Sequence, residues 1–169
     1  DADTGYVIAE QNADDTLPPA SLAKMMTTYI TSKEIAENRL KEDDVVVISD
    51  NAWELGGAKT DGSTMFLSPR SKVPVIDLMR GVIIQSGNDA AISLAEHISG
   101  GETAFSDNMN YQAELMGMTN TYYMNATGLP AEGMVTSARD LTILAKAIIN
   151  EHPEYYSIYS EKYFSHNNI

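Results

Sequence analysis

The sequence predicts a mixed α/β fold of the α+β kind: a mainly helical block with a few strands of an incomplete antiparallel sheet at its edge. Three observations predict it. Apolar residues return at helical spacing in several separate stretches of the 169-residue chain. Runs with strand character, such as Val45-Val46-Val47-Ile48, are short and few. The strands are too few to close a sheet, and strand backbone groups need partners. Either another segment completes the sheet or the chain is one part of a domain.

The elements follow in order. Asp1 to Gly5 reads as a turn and Tyr6-Val7-Ile8-Ala9 as a short strand, a hairpin whose first arm is cut away. Leu17-Pro18-Pro19 then breaks the chain, because proline lacks a donor and restricts its predecessor. A helix is expected from about Ala20 to Glu37, with Leu22, Met25, Met26, Tyr29 and Ile30 on one face. Val45 to Ile48 reads as a strand and Ser49 to Leu55 as a short helical turn. Gly56, Gly57 and Gly62 mark a mobile or tightly turned loop. Ser63 to Leu67 reads as a strand that pairs back with Val45 to Ile48. Pro74 to Gln85 is apolar nearly all round, the pattern of a buried helix. Helices are also expected from about Asn88 to Ile98 and from about Thr103 to Met116. Thr119 to Gly133 is turn-rich, with Gly128-Leu129-Pro130 at its centre. A last helix begins near Ser137, its N-cap, with Asp140 in the first turn. Glu161 to Phe164 is expected to start a strand.

Composition narrows the function. Apolar residues make up 43% and charged residues 21%, the balance of one ordinary globular domain. The net charge of −13 argues against nucleic acid as the main partner, and its plain reading is solubility. Lysines and arginines are scattered, with no polybasic run for anionic lipid. With no cysteines, disulfides, thiolate metal sites and cysteine catalysis are excluded. No repeat period, signal peptide or run of membrane-spanning length is found, and a chain opening at Asp1 without Met reads as processed or trimmed.

Two short motifs carry candidate chemistry. In Pro19-Ala20-Ser21-Leu22-Ala23-Lys24, the serine and lysine are spaced to share one helical face, with Ser21 at the positive amino end. A serine hydroxyl becomes a good nucleophile once a base takes its proton. Lysine serves as that base if burial or a second cation lowers its pKa. The plain alternative is an N-cap serine beside a surface lysine. Ser86-Gly87-Asn88 lies between two apolar helices. It reads either as a helix connection with Asn88 as N-cap, or as a site in which Ser86 relays a proton to Lys24 and Asn88 orients a substrate amide. His97, His152 and His166 have no metal-ligand spacing and read as solvent-facing or core-edge side chains. No metal and no cofactor are expected. Methionines such as Met25 and Met26 read as core filling. Tyr155, Tyr156 and Tyr159 suit packing at a helix–strand junction, or the lining of a groove.

Together the two motifs resemble the low-molecular-mass penicillin-binding proteins, the serine D-Ala-D-Ala carboxypeptidases of the β-lactamase/transpeptidase-like superfamily. The signature of that superfamily runs Ser-x-x-Lys, Ser-Asp-Asn, Lys-Thr-Gly, and the middle element here is Ser-Gly-Asn. The resemblance is carried by Pro-Ala-Ser-Leu-Ala-Lys-Met-Met-Thr at 19–27, Asn-Ala-Trp at 51–53, Ser-Gly-Asn-Asp-Ala-Ala at 86–91, Asn125-Ala-Thr-Gly-Leu and Ser137-Ala-Arg-Asp140. It runs over essentially the whole chain. It implies Ser21 as nucleophile, Lys24 as base, Ser86 as relay, and Asn88 and Gly87 as substrate-binding positions. The Ser21 N–H would be one oxyanion-hole donor, and such donors matter by about 3–4 kcal/mol. The implied substrate is a peptidoglycan stem peptide ending in D-Ala-D-Ala, and β-lactam antibiotics would acylate the same serine. The implied place of action is periplasmic or extracytoplasmic, with membrane association through a C-terminal helix absent here.

One departure shapes the expectation. The chain contains no Lys-Thr-Gly, and Lys59-Thr60-Asp61 stands in the wrong loop to replace it. In the family that strand supplies a second oxyanion N–H, a second cation and contacts to the substrate carboxylate. Residues 1–169 are therefore expected to be a partial catalytic domain, weakly active or inactive alone, with a second chain or segment supplying the strand. The alternatives are a serine β-lactamase, for which Gly87 in place of Asp and a lone Glu132 offer little, and a non-catalytic wall- or partner-binding module.

Overall fold

Helix α1 (Ala23–Ala36) is buried on nearly every side, including its polar residues Thr27, Thr28, Thr31 and Ser32. Sequence periodicity assigns it one apolar face. The structure buries more because the hydroxyls of Thr28, Thr31 and Ser32 donate back to the carbonyls of Lys24, Thr27 and Thr28 at 2.8–3.1 Å. A hydroxyl satisfied within its own helix enters the core without an orphaned donor. Leu22, expected on the apolar face, is instead half exposed in the 3₁₀ turn Ala20–Leu22 that precedes the helix.

The computed structural model describes residues 1–167. After α1 come strand β1 (Val45–Val47), helix α2 (Asp50–Gly56), strand β2 (Lys72–Pro74), and helices α3 (Val75–Gln85), α4 (Asn88–Ser99), α5 (Glu102–Met116), α6 (Ala138–Glu151) and α7 (Pro153–Tyr156). Helices α1 and α4 each pack against both α3 and α5. One apolar core lies among β1, β2, α2, α3 and α4, centred on Ile48, Val73, Leu78, Met79, Ile92 and Leu94. A second lies among α1, α5 and α6, with Met26, Ile30, Phe105, Met109, Tyr123 and Leu144. Buried methionines line both, as the composition suggested.

Strand pairing is where the sequence reading fails most clearly. β1 pairs antiparallel with β2, Val46 opposite Val73 and both buried. Ser63 to Leu67 forms no ladder with it. The buried Asp89 carboxylate takes up that segment instead, accepting from Met65 N at 2.8 Å, Leu67 N at 2.9 Å and Thr64 Oγ1 at 2.8 Å. The Asn88 N–H donates to the Ser63 carbonyl at 2.8 Å. A carboxylate that gathers neighbouring donors replaces a partner strand. Gly56 matters here: a β-carbon on it would fall 2.3 Å from Asp89 N, so its bareness lets α2 meet the start of α4.

Other expectations fall similarly. Tyr6 to Ala9 is irregular, with Tyr6 and Ile8 largely exposed. Glu161 to Phe164 forms no strand, and Glu161 meets Arg80 at 3.1 Å. Asn88 is the first residue of α4, with Gly87 in the cap position. Ser137 does cap α6, accepting from Asp140 N at 3.2 Å. Tyr155 and Tyr159 act in packing, their hydroxyls meeting Glu42 at 2.9 Å and Thr28 at 2.8 Å. His97 is exposed, and His152 is buried against the Tyr29 ring.

Asp89→Ala removes the acceptor for several buried donors at once. It is expected to lower the unfolding free energy by about 3 kcal/mol or more, measured by urea unfolding. Loss of under about 1 kcal/mol would show that water takes over those donors.

Candidate active site

Pro19 and the 3₁₀ turn Ala20–Leu22 deliver the chain into α1 at an unusual angle. Ala20 has φ +47°, left-handed backbone that a residue with a β-carbon adopts only under strain. Ser21 follows on the exposed side of that turn. It is thus in the turn that leads into α1 rather than in the α-helix itself, while Lys24 lies in the first turn of α1.

Lys24 is 5% exposed. Its Nζ stands 3.4 Å from Ser21 Oγ and donates to the Thr127 carbonyl at 2.7 Å. Burial lowers its pKa from 10.5 to about 8, because an ammonium taken out of water loses more than a neutral amine does. The surface-lysine alternative is therefore excluded. Its two described partners, a hydroxyl and a carbonyl, are uncharged. The 3.4 Å approach is long for a hydrogen bond, as is common before substrate binds.

The second motif lies at the junction of α3 and α4, both packed against α1. Ser86 ends α3 with φ +57°. Its Oγ is buried and has no partner among the described residues. The hydrogen bond expected between Ser86 and Lys24 is thus not formed, and the hydroxyl is left uncommitted. Gly87 is the cap before α4, its N–H donating to the Gly81 carbonyl at 3.0 Å. Asn88 is buried, and its Nδ2 lies so close to Gly62 that a β-carbon there would fall 2.3 Å away.

The 125–129 loop is the part of the site that motif reading did not place beside Ser21 and Lys24. Asn125-Ala-Thr-Gly-Leu was notable only for its resemblance, with no role attached. The structure lays this loop against the turn that carries Ser21: a β-carbon on Gly128, which has φ +82°, would fall 1.7 Å from the Ala20 carbonyl oxygen. The Gly128-Leu129-Pro130 turn signal was legible, but its contact with Ser21 was not. Two hollows of about 550 and 490 Å³ lie elsewhere, one between residues 1–13 and α6, the other beside Tyr111 and Tyr122. Neither includes Ser21, which stands on an open face.

The arrangement is an exposed hydroxyl beside a buried amine of lowered pKa, the geometry of a serine nucleophile with a lysine base. Residues 1–169 match the family model described as D-alanyl-D-alanine carboxypeptidase, peptidase S11. The chain is 44% identical to the D-alanyl-D-alanine carboxypeptidase DacC of Escherichia coli K12 over 98% of its own length and 42% of that protein's. It is 43% identical to DacA of the same organism over 100% of its length and 42% of the relative's. The chain thus spans about two fifths of these relatives. Among solved structures, penicillin-binding protein 5 of Haemophilus influenzae superposes with a TM-score of 0.95 at 40% identity, covering 99% of this chain and 48% of that one. Penicillin-binding protein 6B of Escherichia coli gives 0.92 at 39% identity, covering 97% and 52%.

In protein labelled at lysine, Lys24 is expected to titrate near pH 8 by NMR; a midpoint at the ordinary 10.5 would mean that the amine is hydrated. Gly128→Ala is expected to force the loop off Ala20 and move that midpoint.

Proposed function

The chain belongs to the D-alanyl-D-alanine carboxypeptidase family, and we propose that it forms the nucleophile-bearing part of a serine carboxypeptidase that removes the terminal D-alanine from peptidoglycan stem peptides. The observation that carries this reading is the buried Lys24 amine, of pKa about 8, at 3.4 Å from exposed Ser21. Neutral Lys24 takes the Ser21 hydroxyl proton as Oγ attacks the carbonyl carbon between the two D-alanines. The tetrahedral intermediate collapses, its C–N bond breaks, and the departing D-alanine amine takes a proton. Water then attacks the ester on Ser21 and releases the shortened peptide. Ser86, whose buried hydroxyl is uncommitted, relays the proton between lysine and leaving group. Asn88 and Gly87 line the substrate amide. β-Lactams, whose strained amide mimics the dipeptide, acylate the same serine.

The chain carries no Lys-Thr-Gly, and it spans 42% of each of two E. coli relatives. We take residues 1–169 as a partial catalytic domain whose far wall comes from a further segment or chain. The open setting of Ser21 supports this. Action on stem peptides implies an extracytoplasmic, periplasmic location. Among the described residues no helix is long and apolar enough to cross a membrane.

Fluorescent penicillin is expected to label the full-length enzyme at Ser21, and Ser21→Ala to abolish the label. Rapid turnover with no trapped adduct would favour a β-lactamase, and absence of labelling a binding module. Lys24→Ala is expected to lower the acylation rate constant about a thousandfold. In the parent, that rate should rise with pH and level off above about 8, as the lysine loses its proton. A flat profile would remove Lys24 as the base.

A further inference from the structure

The Thr127 carbonyl that receives the Lys24 N–H does not stand alone; one side chain holds its loop together. Asn125 Oδ1 accepts three hydrogen bonds: from Thr127 N at 3.1 Å, Thr127 Oγ1 at 2.9 Å and Gly128 N at 2.8 Å. Its Nδ2 donates to the Leu129 carbonyl at 3.0 Å. A single amide thereby spans the loop and satisfies both of its own ends. Between these contacts, the Ala126 carbonyl accepts from Thr27 Oγ1 at 2.7 Å, which ties the loop to α1 three residues after Lys24. The peptides on both sides of Thr127 are therefore held.

That matters for the amine. A carbonyl oxygen only accepts, so Lys24 must spend an N–H on Thr127 at 2.7 Å. A neutral amine can otherwise turn about Cε–Nζ among staggered positions. With one N–H held by the carbonyl, the lone pair has few directions left, and Ser21 Oγ at 3.4 Å lies within reach of one. Fixing the reacting atoms in this way is worth large factors in rate. We propose that Asn125 is a positioning residue for acyl transfer, holding the Thr127 carbonyl where it turns the Lys24 lone pair toward Ser21. The proposal rests on the reading of Lys24 as general base.

A purely structural role for Asn125 would lower the acylation rate and leave its pH limb unmoved, whereas a positioning role moves the limb. The carbonyl favours the charged ammonium, so displacing it lowers the lysine pKa further and moves the acid limb of acylation to lower pH. Asn125→Asp keeps the oxygen acceptor and adds a negative charge near Lys24, so it moves the limb the other way. One titratable group also faces the loop: the carboxyl of Glu102, at the start of α5, lies against the Ala126 amide, and burial raises its pKa.

The test is the second-order acylation rate constant of the full-length enzyme with a fluorescent penicillin, from about pH 6 to about pH 10, per titratable site. Asn125→Ala is expected to lose at least about tenfold at the plateau, with its limb at lower pH. Asn125→Asp is expected to keep a plateau close to the parent's, with its limb at higher pH. Glu102→Gln is expected to leave the limb in place. A parental plateau and limb in Asn125→Ala would overturn the proposal, as would a lowered plateau with an unmoved limb. A limb that moves as far in Glu102→Gln would also overturn it. Should Asn125→Ala fail to fold, an unmoved limb in Asn125→Asp decides against it. Parental acylation by Lys24→Ala is a separate failure, that of the base itself.

Discussion

A lysine amine kept out of water is the constraint around which the site is built. Lys24 lies on a helix that is buried nearly all round, and its only described partners are a serine hydroxyl and a backbone carbonyl. Neither partner is charged, so burial works against the ammonium without an opposing carboxylate to restore it. The same burial would be ruinous for an arbitrary lysine. Here it brings the amine to a pKa at which a proton can be taken from a neighbouring hydroxyl near neutral pH.

That condition explains the company α1 keeps. Thr28, Thr31 and Ser32 enter the core by bonding their own helix, while Thr27 binds the Ala126 carbonyl of the 125–129 loop. The helix packs against α3, α4, α5 and α6. The 125–129 loop closes over its amino end, where Gly128 permits contact with the Ala20 peptide. The strained left-handed backbone at Ala20 then turns Ser21 outward while Lys24 turns in. Exposure of Ser21 and burial of Lys24, three residues apart, coincide with this break between 3₁₀ turn and α-helix.

Asp89 does for the second motif what Asn125 does for the first. Each is a single side chain that gathers several donors from an irregular segment beside the site. Irregular backbone near a reacting centre needs such acceptors, since no ladder satisfies it.

Much was legible in the residues themselves. Helical spacing located the long helices, because periodicity is local and reports the buried face directly. Ser137 announced its cap, and the chain's motifs marked Ser21, Lys24, Ser86 and Asn88. The misreadings share one cause. Ser63 to Leu67 looks like a strand by composition, yet a carboxylate distant in sequence takes its donors. Tyr6 to Ala9 is apolar, yet forms no strand. Whether a stretch pairs depends on what lies across from it, and that is decided by tertiary packing. So too with the site: the sequence by itself determined which residues could act as nucleophile and base, because Ser-x-x-Lys spacing is a local fact. Only the tertiary structure decided that Lys24 is buried and bonded to Thr127, because both depend on a loop about a hundred residues away folding back over the start of α1.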